Sequence, residues 1–224
     1  MDYELIFSDR RTLGITVERD GVVVVRAPEG TSRETVDRLV ESKKRWITGK
    51  VSHPQKYQAA PHPPGKELVS GESMLYVGRS YRIEIVNDSR DEIHFDHVFL
   101  VPRGISERGR EAFRDWYAQR AEERLVPRAA EWAKRLGVEP SSISVSDVRY
   151  RWGSCTPSGH VRLNWRLIKA PAGVADYVIV HELAHLLESN HGDRLWSIIR
   201  SQIPKVDASR DWLKEHGQLL EEEV

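Results

Sequence analysis

Val180-His181-Glu182-Leu183-Ala184-His185-Leu186 decides how the second half of this chain folds. Two histidines stand four residues apart, with a glutamate directly after the first. Four residues turn an α-helix by about 400°, so His181 and His185 lie ~40° apart on one face, one turn above the other. Two imidazoles placed that way meet one metal ion, and Glu182 beside them can reach a water on that ion. The neighbours Ile179, Val180, Leu183, Ala184 and Leu186 are apolar, which predicts a buried helix over Ala175–Ser189. Three titratable groups on such a helix demand partners, and a metal satisfies all of them.

A catalytic zinc site takes three protein ligands and keeps one position open. His191 is the expected third. A straight helix would point it ~120° away from His185, so the chain must turn. Ser189-Asn190 is the expected break, because Asn tolerates the left-handed backbone. The expected cofactor is therefore one Zn2+ per chain, on His181, His185 and His191, with Glu182 as the base. With nine histidines in 224 residues, chance gives H-E-x-x-H in about 3 of 100 such chains, and the third histidine lowers that to about 1 in 1000. The histidine offsets match those of the metzincins. Glu188 stands where those enzymes place Gly, however, and the only methionines are Met1 and Met74, so no Met-turn can follow.

The expected architecture is α+β: an N-terminal β-rich unit with one helix over 1–102, and a zincin-like helical domain with a small sheet over 103–224. Tyr3–Phe7, Thr12–Glu18 and Val22–Val25 read as strands, the last two joined by a hairpin turn at Asp20-Gly21. Thr31-Ser32 with Glu34 suggests a capping box, opening a helix that turns Val36, Leu39, Val40 and Trp46 inward and ends near Gly49. Pro54, Pro61, Pro63 and Pro64 mark an extended connection. Leu75–Val77, Tyr81–Val86, Ile93–Phe95 and Val98–Val101 complete an antiparallel unit.

Beyond residue 102, Ser106 is placed to cap a long helix with Phe113, Trp116, Tyr117, Leu125, Ala129, Trp132, Ala133 and Leu136 on one side. Gly137 suits its C-terminal cap, and Pro127 should kink or split it. Ile143–Arg151 and His160–Asn164 are strand-like, joined by a turn through Thr156–Gly159. A last helix lies near Ser209–Leu219, followed by an acidic tail, Glu221–Glu223.

Lys plus Arg equals Asp plus Glu at 34 each, so the net charge is zero. Nucleic acid is a possible partner that this charge does not indicate. The single cysteine, Cys155, excludes a disulfide framework and fits a reducing compartment. No signal-peptide pattern and no ~20-residue apolar run appear, so a cytoplasmic location and no membrane partner are expected.

Around the histidines the chain resembles a known family. Arg151-Trp152-Gly153-Ser154-Cys155, Asn164-Trp165-Arg166-Leu167, Pro171, Asp176-Tyr177-Val178, His181–His185, Asn190-His191 and Leu195-Trp196 look like the YgjP-like metallopeptidases, relatives of the SprT and WLM zincins. The resemblance spans Arg149 to about Leu213, with a weaker echo at Lys43–Ile47 and Gly78–Tyr81. Leu195 stands where the family usually carries Phe. The resemblance implies zinc on the three histidines and Glu182 as the catalytic base. Some members are linked to nucleotide pyrophosphate hydrolysis rather than peptide hydrolysis.

Three functions are thus in play: a metallopeptidase, a metal-dependent nucleoside triphosphate pyrophosphatase, and a metal-stabilised DNA- or protein-binding module with little catalysis. The substrate is correspondingly a peptide or a nucleotide. Arg149, Arg151, Arg162 and Arg166 alternate along two expected strands and are candidates for binding substrate carboxylate or phosphate. Glu188 and Asp193 are candidates to support an imidazole N–H. Cys155 reads as a small buried residue rather than a ligand. The edge of the small sheet can hold an extended peptide.

Overall fold

The computed structural model describes residues 2–17, 22–51, 68–88, 91–148 and 151–221. The expected turn at Asp20-Gly21, the four prolines between 54 and 64, Arg149, and the tail beyond Glu221 lie outside the described residues. The chain divides into two compact units, Met1–His62 and Pro63–Val224.

The first unit holds β1 (Glu4–Ser8), β2 (Gly14–Val17), β3 (Val23–Pro28), α1 (Arg33–Ser42) and α2 (Lys44–Val51). Val23, Val24 and Val25 are all buried, as a central strand requires, and β3 lies between β1 and β2. Ser32 caps α1, and its Oγ accepts from the Thr35 N–H at 3.4 Å; the predicted partner, Glu34, takes no part in that cap. One expected helix is in fact two. The interruption at Lys43 changes which face of the second helix meets the core. Ile47 is fully buried, while Trp46, expected inward, is 46% exposed.

The second unit starts with β4 (Ser73–Tyr76), β5 (Arg79–Val86), β6 (His94–Phe95) and β7 (Phe99–Pro102), in the order β4-β5-β7-β6. A 3-10 turn over Arg103–Arg108 leads into α3 (Gly109–Leu136). Next come β8 (Ser142–Ser146), β9 (Gly153–Cys155) and β10 (His160–Asn164), with β10 central, and another 3-10 turn over Trp165–Lys169. Three helices finish it: α4 (Ala172–Ala184), α5 (Asp193–Gln202) and α6 (Val206–Glu221). The chain is α+β, but its sheets are mixed rather than antiparallel: β1 with β3, β5 with β7 and β8 with β10 run parallel. A period of two reveals a strand and not its direction.

The observed division falls at 62/63 rather than at the expected 102/103 because β4–β7 share a core with α3. Tyr76 and Phe99 each meet Trp116 at 5.1 Å between ring centroids, and Phe99 meets Phe113 at 5.3 Å. Such edge-on aromatic pairs are favourable beyond their area. Helix α3 starts at Gly109, not at Ser106, whose Oγ instead donates to the Arg103 carbonyl at 2.8 Å. Pro127 does not split it. Buried Ala121 and Leu125 before the proline, and Ala129, Trp132 and Ala133 after it, hold both halves to one core. Gly137 closes the helix in the left-handed conformation, φ +66°.

Lys169 is only 2% exposed. Its Nζ donates to the Leu220 carbonyl at 3.1 Å and lies 4.8 Å from the Tyr117 ring centre and 5.2 Å from that of Trp165. This ties the end of α6 to the middle of the unit.

The strand expected to run to Arg151 stops at Ser146, where the side chain of Asp147 becomes a junction. It accepts from the Arg166 guanidinium and the Trp165 Nε1–H, and it pairs with Arg114 at 2.6 Å. Burial acts to raise the Asp147 carboxyl, but Arg166, Trp165 and Arg114 together hold it below its ordinary value. Asp147→Asn should therefore destabilise the fold by about 1–3 kcal/mol, since Arg166 is 3% exposed and loses the charge of this carboxylate. A carboxyl depressed by folding contributes fully above the ordinary carboxylate range and loses that contribution as pH falls through its folded value. Denaturant melts of the two proteins should accordingly converge at acid pH; a constant gap down to pH 2 would assign the loss to something other than charge.

Candidate metal centre

Helix α4 carries the site because it is apolar nearly all round. Val174, Ala175, Tyr177, Val178, Ile179, Val180, Leu183 and Ala184 are buried against the rest of the unit. Asp176 locks it to α3: its carboxylate takes two hydrogen bonds from Arg128, at 2.7 and 2.8 Å, and one from the Trp132 Nε1–H at 2.8 Å.

The helix ends at Ala184, five residues before the expected Ser189. His185 is its C-terminal cap, and tighter turns follow: Leu186 N–H donates to Leu183 O and Leu187 N–H to Ala184 O, both at 3.0 Å. Neither Ser189 nor Asn190 adopts the left-handed backbone. The early end by itself lets the chain double back. Glu188 serves this turn twice. Its carbonyl accepts from the His185 Nδ1–H at 3.1 Å, and its carboxylate accepts from the Asn190 N–H at 3.2 Å, one residue before His191. Glu188 thus supports an imidazole through its backbone rather than through its carboxylate. Asp193 lies in the first turn of α5.

His181, His185 and His191 converge, each offering a ligand atom within 4.8 Å of the others; among the described residues they are the one such cluster of His, Cys, Asp and Glu. The Nε2 atoms of His181 and His191 face each other at 3.1 Å. Two nitrogens on one tetrahedral ion at 2.0–2.1 Å stand about 3.3 Å apart, so this spacing fits a shared ion. With Nδ1 of His185 donating to Glu188, its Nε2 carries the lone pair. Burial, then the other two histidines and Arg210, pushes His181 down to about 4; burial and His185 lower His191 as well. Neutral imidazoles are what a metal needs. The residues present fit a divalent ion of the zinc type. The Nδ1 atom of His181 is buried with no hydrogen-bond partner among the described residues.

Glu182 is 9% exposed and packed against β9. A Cβ on Gly153 would come within 2.5 Å of the Glu182 Cγ and 2.9 Å of its Oε1, so only glycine leaves room there for the carboxylate. Burial pushes Glu182 up to about 7, opposed by the Arg151 charge and by the Cys155 backbone N–H. Thr156 N–H donates to His160 O and Asn164 N–H to Trp152 O across β9 and β10. The alternation of an antiparallel ladder then directs the backbone groups of Gly153 and Cys155 to the free edge of β9, toward Glu182.

The three candidate arginines among the described residues do not form one cluster. Arg151 is exposed beside Glu182, just ahead of β9. Arg162 alternates with fully buried Val161 and Leu163, so it projects from the opposite face of the sheet. Arg166 is buried in the Asp147 junction, with its guanidinium 4.3 Å from the Trp165 ring centre. Arg149 lies outside the described residues. Cys155 is not in the ligand cluster; its Sγ lies 3.6 Å from the Thr156 carbonyl, and burial, then Glu182, raises the thiol.

Several contributors stand in the family motifs, but the sequence assigned them no role. Gly153 matters for what it lacks. Asn164 is almost fully buried and donates to the carbonyls of Val148 and Arg151, fixing the approach to β9. Trp196 of α5 lies 5.7 Å from the His181 ring and 6.5 Å from that of His191, between centroids. No motif pointed to it beyond its place in the family pattern.

Three histidines and a carboxylate gathered at the end of one helix define a metal-centre class of hydrolase, and comparison with known proteins agrees. The family description "YgjP-like, metallopeptidase domain" matches residues 11–216. The chain belongs to the YgjP-like metallopeptidase family. The crystal structure of the metallopeptidase zymogen jannalysin of Methanocaldococcus jannaschii is similar at 22% identity and TM-score 0.37, covering 42% of this chain and 96% of that one. No curated protein matches.

Protein purified without added metal should carry about one equivalent of a divalent transition metal by elemental analysis, as a three-ligand site requires. His181→Ala, His185→Ala and His191→Ala should each lose it. Full retention in His191→Ala would remove that residue from the ligand set.

Proposed function

We propose that this chain is a zinc-dependent peptidase in which His181, His185 and His191 hold the ion and Glu182 is the catalytic base. The observation that supports this reading is a buried carboxylate, next in the chain to His181 of the three-histidine cluster, packed against Gly153 of β9. When bound, such an ion acidifies water and polarises a carbonyl. His181 and His191 keep their lone pairs free because burial disfavours their protonation. Glu182, pushed up to about 7, is matched to taking a proton near neutral pH and returning it to the leaving amine. Arg151 and the Cys155 N–H favour its charged form, the one able to accept. The outward backbone of Gly153 and the Cys155 carbonyl offer an extended peptide a strand edge to pair with, a way of binding that needs no particular side chain.

A pyrophosphatase needs several guanidinium groups around the ion to hold a triphosphate. Arg162 faces away and Arg166 is committed to Asp147, so the arrangement favours the peptide. Among the described residues no helix is long and apolar enough to cross a membrane. A reducing cytoplasmic location is part of the same reading and rests on the lone cysteine.

Glu182→Gln is nearly isosteric and cannot accept a proton. It should keep the metal and lower peptide hydrolysis by about 10²–10⁴-fold. Unchanged turnover would take the base role away from Glu182.

Gly153→Ala should act on the same step from outside the ligand set. Its methyl must displace the Glu182 carboxylate, so kcat should fall by about 10²-fold while metal content and melting temperature hold. Loss of metal in this variant would mean that the strand supports the ligands rather than the base.

A further inference from the structure

Helix α6 brings one charged group to the metal centre that neither hydrolysis nor ion binding uses. The Arg210 guanidinium lies 4.8 Å from the ring centre of Trp196, and that ring packs beside both His181 and His191. The Arg210 charge reaches His181 and the phenol of Tyr177, whose ring is 6.0 Å from that of His181. Among the described residues its one ion-pair partner is Asp207, one turn back on α6, with Nη1 to Oδ1 at 3.4 Å. That contact is long, and the Arg210 side chain is 49% exposed. A guanidinium offers five N–H donors in a planar fork, so most of its capacity remains for a ligand.

A cation in this position is electrostatically unfavourable. It adds positive charge beside a centre built to hold a divalent cation, and Asp207 offsets little of that through a long, solvent-exposed contact. The position becomes favourable once an anionic group lies between the guanidinium and the ion. Stacking on Trp196 keeps the fork in place for such a group at little entropic cost. Arg210 stands one aromatic ring away from the ligands. That is too far to act as ligand or base, and suited to a substrate group next to the bond being cut.

We propose that Arg210, held on Trp196, is a specificity residue that binds a carboxylate of the peptide substrate, on a residue adjoining the scissile bond. This deepens the peptidase reading and rests on it. The carboxylate comes either from an Asp or Glu side chain or from the chain terminus of a short peptide. Both present the same planar pair of oxygens to the fork.

The test uses the full metal-loaded chain, with Arg210→Met and Arg210→Lys alongside wild type. Met keeps an apolar stem on Trp196, and Lys keeps the charge without the fork. Matched peptides differ in one group: Asp against Asn at an internal position in one series, a free against an amidated C-terminus in the other. The readout is the ratio of kcat/KM for carboxylate over amide. Wild type should favour the carboxylate by about tenfold or more in one series, which identifies its source. Arg210→Met should bring that ratio to about one with metal content intact, and Arg210→Lys should fall between. A ratio near one in wild type, or a ratio unchanged in Arg210→Met, overturns the proposal. An equal fall on both peptides of a pair does so too, because it marks a structural role. If wild type cleaves none of the peptides, the peptidase reading fails separately. Calorimetric titration of the same peptides into metal-loaded Glu182→Gln, with and without Arg210→Met, then decides. A carboxylate preference abolished by Arg210→Met upholds the site, and no preference overturns it.

Discussion

Helix α4 ends at Ala184, and the turn beyond it is held by the hydrogen bond from the His185 ring to the Glu188 carbonyl. That bond does two things at once. It fixes the His185 ring with its Nε2 available to an ion, and it sets the direction in which the chain leaves the helix. Without the reversal, His191 would be carried away from His181 and the ligand set would stay incomplete. In the turn Leu186 packs against the core while Leu187 is 45% exposed, and polar interactions complete its hold. Glu188 supplies them through both its carbonyl and its carboxylate. The rest of the unit serves to keep α4 where this turn can form, above all through Asp176 and Arg128.

The three-histidine cluster was legible in the sequence because its geometry is local. Helix periodicity places His181 and His185 together, and one turn returns His191. The cause assigned to that turn was wrong in detail. A left-handed Asn190 was expected, and an early cap at His185 does the work instead. The α+β class was legible as well. The arginine cluster was not, because it assumed two strands of uniform alternation. The chain stops the first strand at Ser146 and begins another at Gly153. Arg151 thereby leaves the ladder, and Arg166 passes into a 3-10 turn where Asp147 claims it. Long-range contributors such as Arg210 and Gly153 could not be read, since each takes its meaning from an element distant in sequence.

Around Glu182 the protein balances opposing electrostatic influences. Burial makes the carboxylate reluctant to ionise, while one exposed arginine and one backbone N–H draw it back. Glycine at 153 is what permits this closeness, because a side chain there would occupy the carboxylate's place. The outer edge of the strand therefore faces this carboxylate, with the Cys155 N–H directed at it. On the proposed reading, peptide binding and proton transfer would share one short segment.

Lys169 has a consequence for how the chain is made. Its ammonium lies buried beside two aromatic rings and donates to a carbonyl 51 residues further along the sequence. This contact of the 3-10 turn before α4 can therefore form only after residue 220 has been made. During synthesis the core of the first unit, from Val17 to Ile47, is already complete. The larger unit must wait. A ribosome that stalled within α6 would leave a nascent chain holding all three histidines and Glu182 while lacking the Lys169–Leu220 contact.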